Sequence, residues 1–339
     1  MSKIIRAEGF IPSHLLLKAF RATHNLDFTR TIYDTSELFV KARDGKIRFR
    51  DSKGNSKRFI YDCAQSYNLP GTKARFEDDK AGSDAVVNDC YDFMGQYRDF
   101  LKQTVGRNGL IGTGDDFIGS VHYGQGYNNA YSNGKSMVFG DGDGNIFVRF
   151  VLLGIIGHED FHTVQSNESD LEYQGEPGMN NEAGADISGA STQMWAGKIK
   201  SRDFSWLVGE GAFGPTIKGR GLRDMLNPGN AYDDPQLGKD PQPAKYSQLV
   251  PYDYDNGGVH IGSGITNSAF ARFCIAVDGY AFEGPWQVFY NTYCGKLKVA
   301  SNADIHALAQ RSVEVCSAQL PKHTDKLVQA WKEVEVAVK

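Results

Sequence analysis

His158, Glu159 and His162 in "GHEDFH" are the residue types of a metal-assisted hydrolysis. Imidazoles at i and i+4 share one face of a helix, one turn apart, so both can bind one divalent ion. A glutamate directly after the first imidazole projects beside that ion, where it can take a proton from water. The spacing alone leaves a blander reading open, in which two core histidines are satisfied by neighbours and the glutamate faces solvent. A hydrolytic metal centre needs three protein ligands and an open position. "NNEAGADISGA" offers Glu182, twenty residues after His162, and Asp186 at i+4 from Glu182. On a second helix, Glu182 completes the ligand set. Asp186 then accepts the outer N–H of a ligating histidine and fixes its tautomer.

Elements must carry these groups. The apolar run 151–156 ("VLLGII") predicts the buried start of the histidine helix. "SDAVVNDCYDFMGQYRDFLKQTVG" has helical spacing, and "GSVHYG" and "SMVFGDGDGNIFVRF" predict strands around turns. "GDGDG" resembles the start of a calcium loop, but Ile146 stands where that loop needs glycine, so a tight hairpin turn is expected. From about residue 151 the chain reads as mostly helical, with "DIHALAQRSVEVCSAQL" and "HTDKLVQAWKEVEVAV" as amphipathic surface helices. Residues 1 to about 50 read as an appended segment: an amphipathic stretch, "PSHLLLKAF", then the polar, basic linker "KARDGKIRFRDSKGNSKR". An ordinary N-terminal strand pair is the alternative.

Composition narrows the function. The 339 residues are 40% hydrophobic, enough for one two-lobed domain or two domains. With 37 basic and 41 acidic residues the net charge is −4, which gives no reason to expect a nucleic-acid or anionic-membrane partner. The five cysteines are odd in number and widely spaced without CxxC, against a disulfide framework or a cysteine zinc site, although one disulfide remains open. No secretory signal or membrane span is legible, so residence in the cytoplasm or export by a non-classical route is expected.

Six further stretches accompany the histidine motif "GHEDFH": "LPGTKAR", "GSVHYGQGYNNAY", "MVFGDGDG", "LEYQGEPGMNNEAGADISG", "LRDMLNP" and "DNGGVHIGSG". In order and spacing, from about Arg58 to the C-terminus, the chain resembles the thermolysin-like zinc endopeptidases. The resemblance implies an α+β, zincin-like two-lobed fold, strand-rich in residues 51–165 and mainly helical in 166–339, with the active-site cleft between the lobes. It implies zinc held by His158, His162 and Glu182, with Glu159 as general base. It implies Tyr173 and His260 as donors to the oxyanion, with Asp255 orienting His260. It further implies Asn129 and Ala130 as the edge that pairs with a substrate backbone, and Arg223 as the arginine on a substrate carbonyl. Ile155, Val208 and Leu222 would line an apolar pocket just after the scissile bond, favouring cleavage before Leu, Phe, Ile or Val. The ion would supply Lewis acidity, the base a factor of ~10²–10⁴, and each oxyanion donor ~3–4 kcal/mol.

Two departures stand out. Gly154, Gln193 and Ser205 occupy positions where the family often has calcium carboxylates, and only Glu210 keeps its acid. Calcium is possible, but the family's double site is expected to be absent or much weakened. The start of the chain resembles the protealysin-like branch, whose short propeptide carries an "IPxxLL"-like motif, here "FIPSHLLLKAF". That implies a zymogen whose residues 1–50 are an inhibitory, fold-assisting propeptide and linker, removed by self-cleavage in the linker. His14 and Cys63 as zinc caps are the less favoured reading beside a surface histidine and a buried thiol. Expected partners are polypeptide substrates, the propeptide and a protein inhibitor. Two other readings compete: a zinc aminopeptidase, which would show a "GxMxN" segment absent here, and an inactive or regulatory binding protein on the same scaffold.

Overall fold

The computed structural model describes residues 9–43, 56–133 and 136–338. Two helices open the chain, α1 (Ser13–Thr23) and α2 (Asp27–Arg43). α1 buries Leu15, Leu16 and Ala19, the i, i+1, i+4 stripe of an amphipathic helix. Much of the linker expected to be cleaved lies outside the described residues.

A five-stranded mixed sheet follows, in the order β2-β1-β3-β5-β4. Its strands are β1 (Arg58–Asp62), β2 (Thr72–Phe76), β3 (Phe117–Val121), β4 (Ala130–Ser132) and β5 (Met137–Phe139). β1 pairs parallel with β3 and β3 with β5, whereas β2 and β4 run antiparallel to their neighbours. β4 is therefore an edge strand, with one row of main-chain groups outside the sheet ladder, where another extended chain can pair. α3 (Ala85–Val105) crosses the sheet with Cys90 and Met94 pressed onto Gly119, where a Cβ would stand 2.8 Å from Met94 Cε. Asp84 caps α3 by accepting from Val86 N at 2.9 Å and Val87 N at 3.1 Å.

Beyond residue 150 the chain is chiefly helical: α4 (Leu153–Ser166), α5 (Gly175–Gly197), α6 (Asp255–Val277), α7 (Pro285–Cys294), α8 (Ile305–Gln319) and α9 (Thr324–Glu333). α4 and α5 lie so close that a Cβ at Gly189 would stand 2.3 Å from Gly154 O. These small residues let the two donor-bearing helices approach. α5 is buried nearly all round, so its polar side chains must find partners on the elements packed around it. α6 opens with four consecutive left-handed residues, Asp255 to Gly258, before its regular helix. Gly257 and Gly258 take that conformation without a Cβ penalty. A two-stranded ribbon, β6 (Leu207–Val208) with β7 (Arg223–Asp224), sets Val208 beside Arg223.

The fold matches the expected α+β, two-lobed architecture, with local corrections. The histidine helix begins at Leu153 rather than at Val151, and Leu152 is its extended cap. "GDGDG" makes no hairpin: Asp143 Oδ1 accepts from Asn145 N, Ile146 N and Phe147 N, and the chain then continues outside regular strand. All five cysteines are free thiols, so the disulfide left open by the sequence does not form.

Candidate active site

α4 presents His158 and His162 on one face, and α5 brings Glu182 opposite them. The two Nε2 atoms stand 3.2 Å apart. Glu182 Oε2 lies 3.5 Å from His158 Nε2, and Oε1 lies 3.5 Å from His162 Nε2. Donor atoms of these three residues all fall within 4.8 Å of one another.

Each imidazole is held from behind. His158 Nδ1 meets Asp186 Oδ1 at 2.8 Å and His162 Nδ1 meets Asn181 Oδ1 at 2.7 Å. Both acceptors require an Nδ1–H donor, which leaves each Nε2 as a lone pair aimed at its neighbour. Burial pushes both imidazoles down to about 4. Asp186 itself is clamped by Arg223, with Nε at 2.8 Å and Nη2 at 2.7 Å, and by Asn267 Nδ2 at 2.8 Å. Burial opposes its charge, yet Arg223 and His158 hold its carboxyl below the ordinary carboxylate range.

Glu159 is treated differently. Ser132 N donates to its Oε2 at 2.9 Å, while Oε1 is buried with no hydrogen-bond partner among the described residues. Burial first, then repulsion from Glu182, raises its pKa well above the usual glutamate value. Across the cluster, the Tyr173 hydroxyl donates to Glu182 Oε1 and lies 3.5 Å from His260 Nε2. The left-handed turn of α6 folds Asp255 back onto His260, at 2.6 Å to Nδ1 and 3.0 Å to the main-chain N. Asp255 thus orients the His260 ring and turns Nε2 towards the centre.

The edge strand beside this cluster is already paired. Phe10 N donates to Ala130 O at 3.0 Å, Ile11 N to Asn129 Oδ1 at 2.8 Å, and Asn129 Nδ2 to Ile11 O at 3.1 Å. The Phe10 ring meets His158 edge-on, with centroids 5.1 Å apart, and lies 5.1 Å from the Arg223 guanidinium carbon. A Cβ built on Gly209 would touch both Leu222 and Phe10, which puts Leu222 at the Phe10 ring. Val208 is paired with Arg223, and Ile155 is buried on α4 one turn before Glu159. His14 is half-buried against Tyr254, which corrects the surface reading, and neither it nor Cys63 belongs to the donor cluster.

Thermolysin metallopeptidase models match most of the chain: the catalytic domain over residues 25–166 and the alpha-helical domain over residues 169–336. The chain belongs to the thermolysin metallopeptidase family. It is 38% identical over 289 residues to an extracellular metalloprotease of Pectobacterium carotovorum subsp. carotovorum, covering 84% of this chain and 83% of that one. It is 35% identical to the protease PrtS of Photorhabdus sp. (strain Az29), covering 98% and 93%. Among solved structures, the precursor of protealysin, a metalloproteinase from Serratia proteamaculans, superposes with a TM-score of 0.89. That likeness has 37% identity over 98% of this chain and 100% of that one. The protein is therefore a metalloendopeptidase of the protealysin type, a zinc enzyme with a propeptide, which acts on polypeptides. Neither the aminopeptidase nor the inactive-scaffold alternative is favoured.

The residues of this family member fit the ion that the family carries. Two imidazole lone pairs face each other with no proton to share, and Glu182 Oε2 is buried without a hydrogen-bond donor among the described residues. That arrangement is unfavourable unless a cation gathers the three donors, and nitrogen, nitrogen and oxygen suit zinc. No described helix is long and apolar enough to cross a membrane.

Sequence reasoning missed four contributors. Asn181 and Asn267 complete the support behind the histidines, Ser132 offers its main-chain N–H to Glu159, and Phe10 fills the pocket. Asn181 had a signal: a second buried imidazole needs its own Nδ1 acceptor, and "NNE" places amides beside Glu182. The other three depend on contacts between segments far apart in sequence.

Proposed function

We propose that His158, His162 and Glu182 hold the zinc ion and that Glu159 is the proton carrier of peptide hydrolysis. The observation that carries this reading is the convergence of two imidazole lone pairs and an unsatisfied carboxylate beside an edge strand already paired with extended chain. When bound, the ion supplies Lewis acidity to water and to the scissile carbonyl. Glu159 has one oxygen oriented by Ser132 N and the other without a partner, and its raised proton affinity suits it to take and return a proton. Tyr173 and His260, the latter as an imidazolium with its Nδ1 proton on Asp255, are the donors to the developing oxyanion, each contributing about 3 kcal/mol. Asp255 holds the His260 ring, and Asp186 with Arg223 holds His158.

Asn129 and Ala130 receive the substrate backbone, and Leu222, Val208, Ile155 and Arg223 shape the pocket for the residue after the scissile bond. An aromatic ring between His158 and the Arg223 guanidinium supports a pocket that accepts large apolar side chains, so cleavage falls on their N-terminal side.

Phe10 and Ile11 occupy these positions in substrate fashion, which supports residues 1–50 as the inhibitory propeptide and linker, followed by lobes over 51–165 and 166–339. α2 adds to the lock, with Thr31 Oγ1 accepting from Asn128 N at 3.0 Å and Thr35 Oγ1 at 2.7 Å from Tyr127 Oη. The double calcium site is absent in this reading: a Cβ on Gly154 would meet Gln193 Oε1 at 2.6 Å, and Ser205 donates to Glu210 at 2.8 Å. Residence in the cytoplasm or export by a non-classical route, and restraint by a protein inhibitor, remain part of the proposal. Metal analysis paired with peptide hydrolysis tests the core of it. One zinc per chain and activity abolished by a chelator and restored by zinc are expected; activity that survives complete metal removal would overturn it.

A further inference from the structure

β3 ends at Val121, and His122 turns the chain with φ at 52°, a left-handed conformation that L side chains rarely adopt. Its ring bridges two elements. Nδ1 meets Asp141 Oδ1 at 2.8 Å and Oδ2 at 3.0 Å, and Nε2 meets Asp84 Oδ2 at 3.1 Å. Asp84 is the cap of α3, and Asp141 lies in the turn after β5.

That turn is what holds the substrate edge. Gly140 N donates to Asn129 O at 3.0 Å, Gly142 N to Tyr127 O at 3.1 Å, and Asp143 N to Asn128 Oδ1 at 2.8 Å. There is no slack between them: a Cβ on Gly140 would stand 1.9 Å from Tyr127 O. With the Asn129 carbonyl engaged on this side, its side-chain amide is left to grip extended chain on the other, as it grips Ile11.

We propose that His122, tied to Asp84 and Asp141, positions the peptide-pairing edge of Asn129 and Ala130 and thereby governs peptide binding rather than the chemical step. It is a positioning residue; it touches neither the metal donors nor Phe10 and Ile11. The inference rests on the assignment of that edge to substrate pairing.

Two carboxylates on one imidazole favour its doubly protonated form. The Asp141 hydrogen bond raises its pKa to about 9, against the opposing effect of burial and with help from Asp84. Other titratable neighbours are engaged elsewhere: Asp62, at the end of β1, accepts from Ala64 N at 2.6 Å, and Tyr123 packs against Tyr67 and Tyr127. A raised value means that the tie is complete below the free-histidine value of 6.5 and is lost as pH rises through about 9.

Two measurements test this on the full chain. In a Glu159→Gln background, which cannot self-process, amide exchange at Phe10 and Ile11 reports the edge directly. His122→Gln should speed those amides about 10-fold, the scale of a lost charged hydrogen bond, with α5 and α6 unchanged. Asp84→Asn, which keeps the helix cap, should do the same more weakly. Unchanged exchange, or equal acceleration everywhere, would overturn the proposal. With Glu159 intact and zinc supplied, His122→Gln should raise KM for a peptide about 10-fold with kcat within about twofold. It should also remove the rise in KM between pH 8 and 10; a loss confined to kcat overturns the proposal. If the parent chain hydrolyses no peptide, the functional reading fails, while the exchange measurement still decides for or against the tie.

Discussion

His158 and Glu159 are chain neighbours in opposite circumstances. Behind His158 stands a run of mutually hydrogen-bonded groups, Asp186, Arg223 and Asn267, that leaves its ring one orientation. Glu159 faces the other way, towards the edge strand, with one oxygen guided by a main-chain N–H and one with no partner among the described residues. The difference separates two jobs: a ligand must not move, whereas a proton carrier must be able to exchange partners. The same contrast divides the whole cleft. Its metal side is locked by buried charges, and its substrate side is held by neutral hydrogen bonds from Ala130 O and the Asn129 amide that a peptide can replace.

The contrast breaks most sharply at Glu159. Glu159→Gln should lower kcat on the order of 10³-fold and stop self-processing, while zinc content stays at one per chain. Retained processing, followed by mass spectrometry of the purified chain, would remove Glu159 from its role. Next comes His260→Ala, expected to lower kcat about 10²-fold, the scale of one oxyanion donor. Metal content and helical circular dichroism should be preserved, because His260 is not among the three donors. If zinc is lost in parallel, His260 belongs to the locked side instead.

Phe10→Ala sharpens the comparison from the substrate side. Phe10 is fully buried between His158, Arg223 and Leu222. Truncating a buried phenylalanine typically costs about 3–5 kcal/mol, part of which the N-terminal segment recovers by detaching. In a Glu159→Gln background, cleavage by added trypsin at Lys18 or Arg21 on α1 should accelerate at least ~10-fold. No change in rate would mean that α1 and α2 hold the segment without the pocket.

How much of this was legible in the sequence follows the same division. The locked side was readable because helical periodicity converts spacing into geometry: 158 and 162 share a face, and 182 and 186 share another. Its small correction, a helix starting at Leu153, reflects Phe150 and Val151 being buried as extended chain rather than as a first turn. The exchangeable side was legible only as a resemblance. Nothing local in "GFIP" says that its main chain will pair with Asn129 and Ala130, more than a hundred residues away. Nor does "VHYG" say that His122 will find two carboxylates from separate elements. Side chains that act within one helix can be read from periodicity; those that act between segments need the fold.

The smallest expected effect concerns His14, where the two sides meet. It sits on α1 against Tyr254, with Nδ1 buried and without a hydrogen-bond partner among the described residues. Burial lowers its pKa from 6.5 to about 4; Asp255 resists that shift, whereas His260 and Lys18 add to it. A lowered value means that the docked segment binds protons less readily than the released one. Docking through His14 is therefore at full strength above pH 6.5 and weakens progressively as pH falls towards about 4. In a Glu159→Gln background, release of the segment on acidification should begin near pH 6. His14→Gln should shift that release to lower pH by a few tenths of a unit. Ile11 and Phe10 have no titrating group of their own, so an identical acid profile in the variant would assign the release to the metal side alone.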